Sequence, residues 1–138
     1  MSILQEIHLE SRLLKIVARG EFSLEEAKRA FLEILEAVAR YQAEKVLVDG
    51  RNVKGNPGDF ERFCYGEFAA NETIRLVRKH GIVARFVYVL NEPLRDPRRF
   101  GETVALNRGM NIKVVETPED AFQWLELSSA DKTDAGDA

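Results

Sequence analysis

The sequence of 138 residues is long enough for one compact domain with a hydrophobic core and too short for two ordinary domains. Hydrophobic residues make up 45% of the chain and charged residues 31%, which is typical of soluble globular proteins rather than of disordered or fibrous ones. The formal net charge of −3 disfavours nucleic acid and anionic membranes as partners, so neither is expected.

The first forty residues predict a β-hairpin followed by a helix. Apolar side chains alternate over residues 3–9, and a second apolar run over residues 13–18 ends at Gly20, which favours two strands joined by a tight turn. Ser23 and Glu26 then match the S-x-x-E capping box, in which each side chain accepts a hydrogen bond from the other residue's backbone N–H. An amphipathic helix is therefore expected from Leu24.

The rest of the chain alternates predicted strands with predicted helices. We predict strands over residues 46–48, 85–90 and 111–116, and helices over about residues 59–80, over about 98–109, and from Pro118 behind a Thr117 N-cap. Beyond Leu127 the sequence has no apolar periodicity, so residues 1–127 are expected to form the single domain and residues 128–138 a disordered tail.

This order of elements, β-β-α-β-α-β-α-β-α, determines the expected fold class. Alternating strands and helices require crossover connections, which give a mixed, mostly parallel five-stranded α/β sheet with covering helices. The first hairpin contributes its antiparallel strand. Right-handed crossovers then place the segments after Val48 and Leu90 at one carboxyl edge of the sheet.

Two segments carry a resemblance to a known family: KVLVDGRNVKG in the middle and RFGETVALNRGMNIKVVETPEDAFQWL near the end. With the element order, they resemble the STAS-like superfamily of sulfate transporter and anti-sigma factor antagonist domains. More closely, they resemble its small stand-alone bacterial SpoIIAA-like branch. The resemblance extends to about Leu127 and implies a STAS-like fold with a binding role, because no catalytic signature is among its motifs.

The same resemblance raises the question of a phosphorylation switch. In anti-sigma factor antagonists of this superfamily, a serine or threonine near the start of the helix after the central strand is phosphorylated, which matches residues 57–59 here. No serine or threonine occurs from Leu24 to Glu72, so the switch is expected to be absent and Tyr65 is the only candidate hydroxyl. Asp59 either supplies a permanent charge there or, as we favour, caps the helix.

Residues 50–58 form a glycine-rich segment between a strand and a helix, an arrangement that suits phosphate binding. The segment matches neither G-x-x-x-x-G-K-[ST] nor G-x-G-x-x-G, and turn chemistry explains its residues equally well. Nucleotide binding is therefore disfavoured. Asp49 has two readings: it binds a ligand hydroxyl or orients Arg51, or, as we favour, it accepts N–H bonds in its own turn.

Six polar residues at the predicted carboxyl edge are candidates for ligand or partner binding: Asp49, Arg51, Asn52, Arg95, Arg98 and Arg99. Arginines there suit an anionic ligand or a partner carboxylate, whereas a solvated charged loop, compensated by Glu92 and Asp96, is the favoured ordinary explanation. Glu102, Asn107 and Arg108 either extend this patch or are exposed helix positions. Glu67 is predicted at the edge of an apolar stripe or, if buried, paired with a residue from another element.

Catalytic and metal sites find no support in the sequence. Cys64 is the single cysteine and has only His8 and His80 as further metal ligands of the zinc-site kind, so no disulfide, metal or cofactor is expected. Cys64 is interpreted as a packing residue. An enzyme would need a pocket with at least two converging polar groups of perturbed pKa. No apolar segment approaches the roughly 20 residues that span a bilayer, and the N-terminus lacks a secretion signal, so a cytoplasmic protein is expected.

The sequence therefore favours a non-enzymatic regulatory or protein-interaction module that binds a protein partner through the segments after Asp49. The alternative is a binder of a small anionic or apolar molecule, such as a metabolite or lipid, between the Asn52 segment and the loop over residues 95–99. A homodimer is also expected, because residues 60–68 are rich in aromatic side chains and offer more apolar surface than one buried stripe uses.

Overall fold

The computed structural model describes residues 2–11 and 13–126. The tail predicted over residues 128–138 lies outside the described residues. The elements along the chain are β1 (Ile3–Glu10), β2 (Leu13–Glu21), α1 (Leu24–Tyr41), β3 (Lys45–Lys54), α2 (Asp59–His80), β4 (Arg85–Val89), α3 (Phe100–Asn107), β5 (Ile112–Val115) and α4 (Pro118–Leu125).

The strands form one five-stranded sheet in the order β1-β2-β3-β4-β5. β1 pairs antiparallel with β2, and the other neighbours pair in parallel, which confirms the predicted fold class. Because each crossover steps in the same direction across the sheet, right-handed connections put α1, α2 and α3 on one face. The main core lies there, around Phe31 and Phe86, while α4 covers the opposite face around Leu47 and Leu125.

The third strand is longer than predicted. The sequence placed its end at Val48 and a loop from Gly50, but β3 continues to Lys54. Its last residues pair with β2 alone, beyond the end of β4. The register shifts once: Val17 pairs with Asp49 and Arg19 with Asn52, so Gly50 and Arg51 together oppose a single residue of β2 in a β-bulge. Only residues 55–58 remain as the connection to α2.

Two helix starts show where local signals hold and where they fail. The Ser23 hydroxyl accepts a 3.2 Å bond from the Glu26 N–H, as predicted. The reciprocal half of the capping box is wrong, because the Glu26 carboxylate accepts the Ile3 N–H at 3.1 Å and pairs with Arg29. At α4 the prediction is confirmed: the Thr117 hydroxyl accepts the Asp120 N–H at 3.1 Å.

Helices α2 and α3 approach unusually closely at two glycines. A Cβ added to Gly66 would lie 2.5 Å from the Gly101 carbonyl oxygen and 3.3 Å from the Val104 Cβ. α3 begins at Phe100, two residues later than predicted, because Arg99 has a left-handed φ of 57°. This close contact fixes α3, and the loop that precedes it, against the start of α2.

Candidate functional site

Asp49 and Arg51 form a closed ion pair on β3. Asp49 and Leu47 lie on the same face of the sheet, the face that α4 covers. The two carboxylate oxygens of Asp49 accept hydrogen bonds of 2.9 and 2.8 Å from the Arg51 guanidinium. The same carboxylate accepts the Arg51 backbone N–H at 3.2 Å. The Arg51 side chain, against the opposing effect of burial, lowers the pKa of Asp49. Asp49 thus both accepts a local N–H and orients Arg51.

Asn52 is exposed on the same strand, opposite Arg19 of β2. Only one recorded bond links this strand segment to the loop after β4 within the described chain: the Asn91 amide donates to the Arg51 carbonyl oxygen at 3.3 Å. The end of β3 and the loop after β4 therefore meet, as predicted, at the backbone carbonyl of Arg51. The side chains of Asp49 and Arg51 are engaged with each other.

The three arginines between β4 and α3 are each neutralised by acids of the same chain. Arg95 pairs with Glu92 at 2.8 Å and Glu116 at 3.4 Å. Arg98 pairs with Asp59 and Asp96, and Arg99 with Glu102 at 3.0 Å. This arrangement agrees with the favoured reading of a compensated charged loop. It leaves little unpaired positive charge for an anionic ligand.

Arg62, which the sequence analysis did not select, holds the loop to α2. Its guanidinium donates to the carbonyl oxygens of Pro57, Leu94 and Pro93 at 3.1, 2.9 and 2.9 Å. Asp96, whose side chain is 9% exposed, accepts the N–H groups of Arg98 and Phe100. Burial opposes ionisation of Asp96, but these bonds and the nearby arginines hold its pKa below the usual value. No local pattern identifies Arg62, because its acceptors come from another loop.

A mostly apolar cavity of about 160 Å³ lies between the sheet and helices α1, α2 and α3, partly open to solvent. Its walls include Ala18, Phe31, Val48, Tyr65 and Tyr88. Of the six predicted site residues, only Arg99 lines it. The cavity nevertheless extends to both predicted segments, because Val53, Pro57, Leu94 and Asp96 also line it, and it lies on the opposite face of the sheet from Asp49.

Two tyrosines on the wall of this cavity share a hydrogen bond. The hydroxyl oxygens of Tyr65 and Tyr88 lie 2.7 Å apart, and their rings meet edge to face with centroids 6.4 Å apart. Burial raises the pKa of Tyr65 to about 12 and that of Tyr88 well above its usual value. From the sequence, Tyr65 was predicted only as the one candidate hydroxyl for phosphorylation, and Tyr88 was not selected. A tyrosine within an apolar strand is the signal that a buried hydroxyl seeks a partner.

The remaining sequence predictions have mixed outcomes. Glu67 is partly exposed at the edge of its stripe, as favoured, and binds Arg108 at 3.2 Å. Glu102 is wrong as an exposed helix position: it is buried, pairs with Arg99, and accepts the Val114 N–H at 3.1 Å. Asp59 is wrong as a cap, because Gly58 is the N-cap and Asp59 instead pairs with Arg98.

Residues 2–11 and 13–126 contain neither a metal-binding cluster nor a membrane-spanning helix. No group of three or more histidine, cysteine, aspartate or glutamate side chains there has the geometry to hold a metal ion. Among the helices formed by residues 2–11 and 13–126, none is long and apolar enough to cross a membrane. Cys64 is a free, partly buried thiol.

Comparison with known proteins supports the fold. No protein-family model and no curated protein matches the chain. Among solved structures, an anti-sigma factor antagonist from Mycobacterium paratuberculosis is similar with a TM-score of 0.57 and 16% identity, over 91% of this chain and 95% of that one. An uncharacterised protein with a SpoIIAA-like fold from Shewanella loihica has a TM-score of 0.48 and 19% identity, over 90% and 94%. The first of these structures shows that the chain has the predicted STAS-like fold.

Proposed function

We propose that the chain is a non-enzymatic regulatory or protein-interaction module that binds a protein partner at the start of α2. We name the binding region the α2-start surface and define it as Asp59, Phe60 and Arg98. The similar solved structure of an anti-sigma factor antagonist supports a regulatory role of this kind. The position also corresponds to the regulated helix start that the sequence resemblance implies.

The observation that carries this proposal is the exposure of Phe60. Phe60 is 74% exposed, the largest value among the large hydrophobic residues described. The contact of an exposed aromatic side chain with water is unfavourable, and such side chains are typical anchors of protein interfaces. Asp59, the residue before Phe60, pairs with Arg98, and this exposed ion pair supplies the polar rim that such interfaces have.

Binding at this surface is proposed to be constitutive. Residues 24–72 contain no serine or threonine, and the Tyr65 hydroxyl is buried against Tyr88. A kinase therefore has no accessible acceptor near Phe60, and the charge of Asp59 is permanent. Mass spectrometry of the chain purified from its native cells is expected to find no phosphate between Asp49 and Phe68. A phosphorylated residue there contradicts the constitutive mode.

A binding role is favoured over catalysis by the direction of the tyrosine pKa shifts. The cavity does contain two converging polar groups with perturbed pKa values, the condition set above for an enzyme. A general acid or base works best with a pKa near the working pH, whereas burial moves the pKa of Tyr65 away, to about 12. Both hydroxyls stay protonated at neutral pH and serve as hydrogen-bonding groups.

We propose separately that two copies of the chain form a homodimer through residues 60–68, which light scattering tests by measuring the mass in solution. Arg108 lies over the Phe63 ring at 5.3 Å and Lys28 over the Phe68 ring at 5.2 Å. Tyr65 packs against the core. Phe60 is therefore the aromatic residue of this segment with most surface left for a second copy or another partner.

The test is photo-crosslinking with a benzophenone amino acid at position 60 or at position 83. Val83 is the matched control, since it is apolar, 57% exposed and lies beyond the opposite end of α2. In cells that naturally make the chain, position 60 is expected to capture a specific protein that position 83 does not. With that purified protein, Phe60→Ser is expected to weaken binding by roughly tenfold or more, as for interface anchors. Equal capture at both positions, or no effect of Phe60→Ser, overturns the proposal.

A further inference from the structure

We propose that the cavity between the sheet and helices α1, α2 and α3 binds an uncharged molecule about the size of one aromatic ring, held by an acceptor oxygen at the Tyr65–Tyr88 hydroxyl pair. This site goes beyond the protein-interaction proposal and does not depend on it. The cavity reaches both segments that were expected from the sequence to hold a ligand, since Val53, Leu94 and Asp96 line it, but the candidate residues Asn52, Arg95 and Arg98 do not.

The cavity volume determines the size of the occupant. Its volume is about 160 Å³, close to that of engineered apolar cavities of about 150 Å³, which stay dry and admit benzene. The walls near Ala18, Ala30 and Ala69 carry only small apolar side chains. A single ring with a short substituent fills this space, and the partial opening gives it a route in.

The charged residues on the cavity wall determine the charge of the occupant. Arg62 donates to three carbonyl oxygens, and Arg99 pairs with the buried Glu102. Asp96 accepts two backbone N–H groups and pairs with Arg98. Since each of these charges is already engaged, a carboxylate or ammonium ligand would enter an apolar space without a free counter-charge, which is strongly unfavourable. The occupant is neutral.

The tyrosine pair determines the polar group of the occupant. Two hydroxyls carry two protons, and one proton is used in the 2.7 Å bond between them. The structure records no other hydrogen bond for either hydroxyl among the residues that it describes. The second proton is thus a spare donor on the wall of an apolar cavity, and the raised pKa of Tyr65 keeps it in place at neutral pH. A ketone, aldehyde or ester oxygen is its matching acceptor.

The experiment compares two probes of nearly equal shape, acetophenone and ethylbenzene, with benzoate as the charged probe. Binding is followed by NMR through the methyl signals of the cavity-wall residues Ala18, Ala30 and Ala69. Wild-type protein is expected to bind acetophenone roughly three- to tenfold more tightly than ethylbenzene, the ratio for one neutral hydrogen bond, and to bind benzoate most weakly.

Tyr65→Phe with Tyr88→Phe keeps both rings and removes both hydroxyls. This double variant is expected to bind the two neutral probes equally, with ethylbenzene affinity unchanged. Tyr41→Phe, at an exposed position outside the cavity, is the matched control and should retain the wild-type preference. Absence of binding by both neutral probes at millimolar concentration overturns the proposal. So does equal binding by the wild type, a preference that survives in the double variant, or tightest binding of benzoate.

Discussion

The carboxyl edge of the sheet and the cavity beside it differ in whether their polar groups are already paired within the chain. At the edge, Arg95, Arg98 and Arg99 are numerous and visible in the sequence, yet each is paired with an acid of the same chain. In the cavity the hydroxyls of Tyr65 and Tyr88 stand among apolar walls and keep one donor proton unused. Arg95 Nε is the one buried side-chain donor without a partner among the described residues, but Arg95 does not line the cavity. The comparison teaches that binding capacity depends on donors that a ligand can reach and not on the number of charges.

The largest effect is expected where the cavity wall is most tightly packed. Gly66→Val places a side chain against the Gly101 carbonyl oxygen, only 2.5 Å from the position of its Cβ. We expect a loss of about 3 kcal/mol in the free energy of unfolding, at the upper end for overpacking, measured by urea denaturation. Gly58→Ser at the carboxyl edge meets open space and is expected to change stability by less than about 0.5 kcal/mol. Equal losses of stability in the two variants would mean that α2 and α3 can move apart to admit the new side chain without cost.

The second effect concerns the tyrosine pair. Tyr65→Phe or Tyr88→Phe alone leaves one buried hydroxyl without its partner, so each is expected to cost about 1 to 2 kcal/mol. The double variant is expected to cost less than the sum of the singles, because no orphaned hydroxyl remains. A double-mutant cycle from urea denaturation measures this coupling. Strictly additive losses would show that the two hydroxyls do not depend on each other.

A smaller and pH-dependent effect is expected at the edge, for Asp49→Asn. The Asp49 side chain is 15% exposed and paired with a more exposed Arg51, so after allowance for solvent screening we expect a loss of about 1 kcal/mol at neutral pH. Because the folded-state pKa of Asp49 is lowered from its usual 3.8, this stabilisation is present above pH 3.8 and is lost as pH falls through the folded-state pKa.

The measurement is urea denaturation of wild type and Asp49→Asn at neutral pH and at successively lower pH below 3.8. The difference between them should hold from neutral pH down to that point and then narrow. Asn52→Ala, at the exposed neighbouring position, is the control and should show no such change with pH. A difference that grows on acidification would contradict the assigned role of the pair.

The smallest effect is expected for Arg98→Ala. The Arg98 and Asp59 side chains are 65% and 63% exposed, so water replaces their pairing and the unfolding midpoint should not shift measurably. Arg62→Ala is the matched contrast, since the Arg62 side chain is only 11% exposed and donates to three carbonyl oxygens, and it should lower the midpoint clearly. A large loss from Arg98→Ala would show that the edge is structural and weaken its assignment to a partner.

Much of the fold follows from local sequence signals, whereas the site does not. The spacing of apolar residues predicts α1, and Thr117-Pro118 predicts the start of α4. The Tyr65–Tyr88 bond joins residues 23 positions apart, and the Arg98–Asp59 pair joins residues 39 apart. Periodicity and motif spacing describe neighbours along the chain. They do not reveal partners that only the assembled sheet and helices bring together.

The bulge in β3 has a consequence for how related sequences are compared. Because Gly50 and Arg51 oppose one residue of β2, the bulge reverses the two-residue alternation, and Val53 packs with Ala18 on the cavity side. Loss of one codon at Gly50 or Arg51 would remove the bulge and restore regular alternation, while Asn52 would still oppose Arg19 and Val53 would still face the cavity. Homologues that differ by this single insertion would therefore share both the fold and the residues that line the interior. An alignment without a gap at this point would assign the wrong face of the sheet to the residues that follow the bulge.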